Sequence, residues 1–390
     1  MRVLLVVFLV AASCAAAALA AQRPAKPRVL GPRRTADRTP TFRFVSSEPG
    51  IPSRALHFRC SVTGRLHHCP PRYTPNLRVG RHVLRVLAVD PTGRRSPTAR
   101  VVVRILKPQP PPARPDQTIS VGSAPYNVAY GFGSLWVPVD REVVRLDPAT
   151  GAIQARVPVG ARPWGVTFGT DRVWVGNLDN QTVAGIDPRT NSVGPQFRLP
   201  GAPVGVAVGG GALWAANNDN DEVWRLDPST GQVLAVAHIG DRHEFVGFSE
   251  GRVWVASEDG TIAELDPATG AVTRTLIAGS DADYLGFSPG SVWVSNYATP
   301  FLWRIDAATG AIAQRLRIAG AGAQGVEDDG TSLWVAMYGQ GLVLRVDRRT
   351  GAVLKRYRVG RRPRGLTVAA GSIWVANSSS GTISRIRLGR

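Results

Sequence analysis

Cysteine is scarce in this sequence, with three residues in 390. Cys14 lies close to the start, so only Cys60 and Cys69 serve the body of the chain. Two cysteines beside the adjacent pair His67 and His68 do not complete a tetrahedral metal set, which argues against a structural zinc site. An even pair in an oxidising compartment favours a disulfide instead. Histidine is scarce as well, six in all, and from Thr118 onward only His238 and His243 remain. General bases that titrate near neutral pH are therefore few in that stretch. Beyond the first residues no segment stays apolar over the ~20 positions that a membrane-spanning helix needs. Acidic residues are the remaining shortage, 28 Asp and Glu against 47 Lys and Arg, for a formal net charge of +19.

The start of the chain has the layout of a secretory signal over residues 1–21. Arg2 precedes an apolar run from Val3 to Val10, and an alanine-rich stretch follows to Ala20 and Ala21. A soluble exported protein, secreted or held in the cell envelope, is the expectation. Ala11-Ala12-Ser13-Cys14 is similar to the lipobox of bacterial lipoproteins without its leading leucine, which leaves lipid anchoring through Cys14 as the lesser alternative.

Charge is distributed unevenly. Residues 22–117 carry 20 Lys or Arg against four Asp or Glu, a net of +16. Residues 345–390 carry 12 basic residues against the single acid Asp347, while residues 118–344 carry 14 basic against 23 acidic. The basic N-terminal module of an exported chain points to an anionic surface of the cell envelope as partner, with no specific nucleic acid implied.

A repeat dominates the rest. The pairs Leu135-Trp136, Val173-Trp174, Leu213-Trp214, Val253-Trp254, Val292-Trp293, Leu333-Trp334 and Ile373-Trp374 place tryptophans 38, 40, 40, 39, 41 and 40 residues apart. Each repeat holds four short strands, which is the arithmetic of a propeller blade. The fold expected is all-β, a seven-bladed β-propeller over residues 117–390 preceded by a small β-sandwich over residues 22–106. A proline-rich linker over residues 107–116 should join them. Within the repeats, Asp147-Pro148-Ala149-Thr150-Gly151 returns as Asp227 to Gly231, Asp266 to Gly270, Asp306 to Gly310 and Asp347 to Gly351. Aspartate caps such a turn and glycine accepts its left-handed residue, so these aspartates read as scaffold. The tryptophans read as core, and Asn177, Asn217, Asn296 and Asn377 as turn caps. The seventh repeat lacks a fourth strand, and the orphan Gln117 to Gly122 should complete it from outside, leaving no open edge.

The Trp-Val-Ala-Asn and Asp-x-x-Thr-Gly units, as in Trp374 to Asn377 and Asp227 to Gly231, resemble YVTN-type repeats of bacterial exported propellers and the repeats of the streptogramin (virginiamycin B) lyase family. The segment from Phe58 to Cys69, with Gly80 to Val86 and Ala88-Val89-Asp90, is similar to bacterial immunoglobulin-like modules. The lyase resemblance implies glutamates three residues after the tryptophans, holding magnesium beside a catalytic histidine. The corresponding positions are Val139, Asn177, Asn217, Ser257, Asn296, Met337 and Asn377, and none is a glutamate. Proton abstraction needs both a base in reach and a group that receives the developing charge.

Where the repeats disagree is more informative for function. Ten residues before each tryptophan stand Tyr126, Trp164, Val204, Glu244, Asp283, Gln324 and Arg364. Strand alternation puts all seven at one mouth of the channel, and Tyr126, Trp164, Glu244, Asp283, Gln324 and Arg364 are the candidate ligand contacts. Two functions follow. The preferred one is a non-catalytic binding or scaffold protein of the cell envelope, monomeric and without a cofactor, taking a small molecule or peptide at the mouth. The alternative is a metal-dependent lyase or hydrolase using Glu244, Asp283, Glu327 and His243.

Overall fold

The computed structural model describes residues 23–389 apart from the Glu244 side chain, so the expected signal segment and Cys14 lie outside the described residues. The described chain forms two compact units, divided after Pro110.

The first unit contains two sheets. Arg34–Thr35, Ala99–Ile105, Gly80–Val89, His57–Ser61 and His67–Cys69 form the larger, and Arg28–Leu30, Phe42–Val45 and Arg72–Tyr73 the smaller. Ala99–Ile105 shows why: Val101, Val103 and Ile105 point inward while Arg100, Val102 and Arg104 face solvent, the period-two pattern of a half-buried strand. Both sheets contribute to one core, in which Phe42 and Phe44 meet Phe58, Leu84, Val86 and Val103. Cys60 and Cys69 are joined as a disulfide between adjacent strands, Cα atoms 5.8 Å apart. Their sulfurs are thereby bonded to each other rather than available beside His67.

The second unit is a β-propeller containing seven four-stranded sheets among the described residues, each antiparallel and six of them in chain order. The inner strands are Ala129–Gly131, Pro163–Phe168, Pro203–Gly209, His243–Ser249, Ala282–Ser288, Ala323–Asp328 and Pro363–Ala369. Each lies beside the next, and the last returns to the first. The seventh sheet takes its outer strand, Gln117–Ser120, from the other end of the unit, with Ile119 opposite Ile383 and Gln117 opposite Arg385. Asp116 tightens this clasp: its N–H donates to the Arg385 carbonyl at 2.8 Å and its carboxylate accepts the Arg387 N–H at 2.8 Å. Upstream, within the proline-rich stretch, Ala113 pairs with Tyr357 at the outer strand of the sixth sheet.

The repeated residues do what their regularity implies. All seven tryptophans are at most 3% exposed, and several anchor their indole N–H on the turn just before, as Trp136 does on the Gly131 carbonyl at 3.0 Å. Across the strand pair, Arg145, Arg345 and Arg385 stack on Trp136, Trp334 and Trp374. Two of these arginines also bridge blades: Arg145 donates to the Pro188 carbonyl at 2.5 Å, and Arg385 to the Ala149 carbonyl at 2.6 Å, tying the seventh sheet to the first. In the Asp147 turn the carboxylate accepts the Ala149 and Thr150 N–H groups at 2.8 and 2.7 Å, and Gly151 has φ 78°. The second sheet builds the same turn from Asp187 to Asn191, with Asn191 at φ 60° in place of glycine. Asparagine tolerates that conformation better than other side chains. Asn177, Asn217, Asn296 and Asn377 are buried, and their amides hold the loops around the strand ends, for example Asn296 Nδ2 donating to the Ala278 carbonyl at 3.1 Å.

Candidate functional site

Antiparallel order places the first-to-second and third-to-fourth turns of every sheet on one face, and the remaining loops on the other. On this second face a cavity of about 90 Å³ sits at the channel mouth. Its lining includes Tyr126, Trp164, Asp283, Gln324 and Arg364, five of the six candidates, together with Val204 from the equivalent position. Glu244 belongs to the same register, on the inner strand His243–Ser249, and its side chain lies outside the described atoms. The inner strands approach closely enough for this convergence because glycines occupy the next position in several blades. A Cβ on Gly165 would lie 2.6 Å from the Val204 carbonyl oxygen, and one on Gly325 2.3 Å from that of Arg364.

The candidates form a connected cluster. Tyr126 and Trp164 stack with ring centroids 3.9 Å apart and planes inclined by 12°. The Arg364 guanidinium lies 5.5 Å from Tyr126, 5.0 Å from Trp164 and 4.9 Å from Tyr338, so three π faces surround one cation. Opposite in chemistry, Gln324 Nε2 donates to Asp283 Oδ2 at 2.5 Å. Asp283 is 8% exposed. Burial pushes its pKa up to about 7, against the pull of Arg364 and the Gln324 hydrogen bond, with Asp281 and Glu258 adding to the rise. Two polar atoms of the cluster, Arg364 Nε and Gln324 Oε1, are buried without a hydrogen-bond partner. One is a donor and the other an acceptor, so each is open to a ligand group of the complementary kind.

Deeper in the channel, Glu327 is the exception among small residues such as Thr167, Ala207, Gly247 and Gly286. Burial raises its pKa to about 8; the Val368 N–H bond opposes this and the Asp328 carboxylate adds to it. Tyr284, in the cavity wall, is raised by burial and by the nearby Glu327 charge.

His243 departs from the expectation that grouped it with Glu327 and Asp283. It is fully buried, with Nδ1 3.0 Å from Ser257 Oγ, and desolvation lowers its pKa. It does not line the cavity. The equivalent positions are Pro125, Pro163, Pro203, Ala282, Ala323 and Pro363, all buried, so His243 occupies a wall position rather than a mouth position. His238 lies on the outer strand Val233–His238 beside Asp221, at 3.2 Å. Tyr338 was not anticipated. It stands four residues after Trp334, where other blades carry Asp140, Leu178, Asn218, Glu258 and Ser378, and comparing that second variable position would have singled it out with Tyr297.

A ring of four-stranded sheets whose variable residues converge on one mouth defines a binding or scaffold propeller. The chain belongs to the family described as outer membrane protein assembly factor BamB, which it matches over residues 139–385. That family is associated with the cell envelope and with protein–protein interaction. Among solved structures, Kuenenia stuttgartiensis hydrazine synthase is 14% identical with a TM-score of 0.59, covering 72% of this chain and 98% of that one. The computationally designed Ika8 protein is also 14% identical, with a TM-score of 0.55 and coverage of 80% and 94%. At such identity the likeness is one of fold alone. No curated protein matches the chain. Among the described residues, no helix is long and apolar enough to cross a membrane.

Proposed function

We propose that this is an exported, non-catalytic binding or scaffold protein of the cell envelope, which takes a small molecule or the end of a peptide into the propeller mouth. The observation that carries the reading is the mouth cluster. Tyr126, Trp164, Asp283, Gln324 and Arg364 come from five different blades, share one register position and line one cavity. Stacked rings offer a flat surface, and the unpartnered Arg364 Nε and Gln324 Oε1 offer a donor and an acceptor to ligand groups of the complementary kind. The Cys60–Cys69 disulfide fits an oxidising compartment. Resemblance of the repeats to YVTN-type exported propellers supports the same placement. The first unit, similar to bacterial immunoglobulin-like modules and strongly basic, is the part proposed to hold anionic envelope material.

The test is saturation-transfer NMR on the full chain with small molecules and short peptides extracted from cell envelopes. Some components are expected to receive saturation from the protein, to lose it with Arg364→Ala, and to keep their mass on prolonged incubation. Components that are chemically changed would overturn the non-catalytic reading, and contacts indifferent to Arg364→Ala would overturn the mouth as the site.

A further inference from the structure

Beside the mouth, on the same face, a groove of about 840 Å³ runs along the junction of the sixth and seventh sheets. Tyr297, Tyr338, Arg358, Arg361, Arg362 and Ser379 are among the residues that line it. Elsewhere on this face arginines are neutralised: Arg162 meets Asp179 at 3.1 Å and Arg242 meets Glu258 at 2.7 Å. Among the described residues, Arg358, Arg361 and Arg362 have no carboxylate within ion-pair distance. Three of the 12 basic residues of 345–390 line this groove, and like charges close together without counter-charge raise the energy of the free protein.

The arrangement is held in place rather than loosely solvated. Arg361 donates its backbone N–H to Ser380 Oγ at 2.7 Å and its guanidinium to the Ser379 carbonyl at 3.2 Å. The Ser378 N–H and hydroxyl both donate to the Arg362 carbonyl, at 3.0 and 2.9 Å. Arg362 itself has φ 53°, a left-handed conformation that a non-glycine side chain rarely adopts. Its guanidinium lies 5.3 Å from the Tyr338 ring. Tyr297 and Tyr338 meet edge to face, centroids 5.9 Å apart at 75°, so their ring faces point in different directions. A Cβ on Gly339 would meet nothing within 4 Å, which leaves the groove open there.

We infer that this groove binds an anionic saccharide, a sugar chain bearing carboxylate or phosphate groups. Guanidinium forks match carboxylate and phosphate oxygens, tyrosine faces match the C–H faces of sugar rings, and the groove is of the size that takes a ligand of several rings. The groove meets the mouth only at Tyr338, whose ring also lies under Arg364, so the inference goes beyond the mouth reading and does not depend on it.

The test is calorimetric titration of the full chain with oligogalacturonate, a phosphorylated oligosaccharide, a neutral oligosaccharide and oligoglutamate of matched charge. The parent is expected to bind the carboxylated or the phosphorylated sugar, with affinity falling as salt rises, and to bind neither the neutral sugar nor oligoglutamate as tightly. Arg361→Ala with Arg362→Ala should weaken the charged sugar about tenfold or more, as loss of charge-assisted hydrogen bonds does. That difference is separate from any binding by the basic first unit, which the double variant leaves intact. Tyr297→Ala should weaken the sugar as well, and carries the test if the double variant does not fold. Trp164→Ala, at the mouth, should leave it unchanged. Equal binding of oligoglutamate, which would mean charge alone, or equal affinity in the arginine and Tyr297 variants, would overturn the inference. So would loss of the sugar on Trp164→Ala.

Discussion

Aspartate behaves in opposite ways on the two faces of the propeller. On the regular face, Asp147, Asp187, Asp227, Asp266, Asp306 and Asp347 each accept backbone and side-chain hydrogen bonds from their own turn, which hold their pKa values below the ordinary carboxylate range. These carboxylates are spent on folding. On the mouth face, Asp283 is buried, and that burial pushes its pKa up to about 7. Identical chemistry repeated blade after blade marks scaffold. A carboxyl held against its own ionisation, beside an arginine and an amide with unpartnered atoms, marks a place arranged for something other than stability.

The comparison presupposes a closed ring, and opening the ring should produce the largest effect. Deleting residues 111–121 removes the strand opposite Thr382–Arg387 and the Asp116 bonds. The melting temperature of the propeller should fall by roughly 10 °C or more, or folding should fail. An unchanged melting temperature would mean that the clasp does not close the seventh sheet.

Next in size is the regular face itself. Asp227→Ala removes the acceptor of the Ser229 and Thr230 N–H groups and of the Ser229 hydroxyl. Loss of these turn-capping bonds should lower the melting temperature by a few degrees. Because the folded pKa values of the six turn aspartates are depressed, their contribution is present above the unfolded carboxylate pKa and is lost as pH falls through the lower folded values. The Asp227→Ala deficit should therefore shrink in acid.

Asp283 gives the reverse and smaller effect. Its folded pKa is raised, so the folded chain holds a proton that the unfolded chain releases, and its stability contribution falls as pH rises from about 4 to about 7. Asp283→Asn should melt a few degrees above the parent at pH 8 and lose that advantage at pH 4. A variant less stable than the parent at both pH values would show that the Asp283 carboxylate is favourably held.

Most of the ring was legible in the sequence because it is repeated. Seven tryptophans at near-constant spacing locate the second strands, and the aspartate turns locate the third-to-fourth hairpins. The second sheet's turn escaped because Asn191 replaces the glycine, although its left-handed φ serves the same geometry. At the mouth, register alone named one equivalent position per blade but not which way each side chain turns. The 3.9 Å stacking of Tyr126 on Trp164 and the position of Arg364 over both depend on packing between inner strands. His243 was drawn to the mouth by its neighbours in sequence, yet the irregular pairing between His243 and Phe245 sends it into the wall opposite Ser257.

The most direct measurement is a fragment screen by ligand-observed NMR, run in parallel on the parent, Trp164→Ala and Asp227→Ala. Planar amides and aromatic amides are the informative fragments, since they match the stacked rings and the Arg364 and Gln324 atoms. The account predicts that Trp164→Ala loses these contacts with little change in melting temperature, while Asp227→Ala keeps them and melts lower. Contacts that survive in Trp164→Ala and disappear in Asp227→Ala would contradict the division of labour between the two faces.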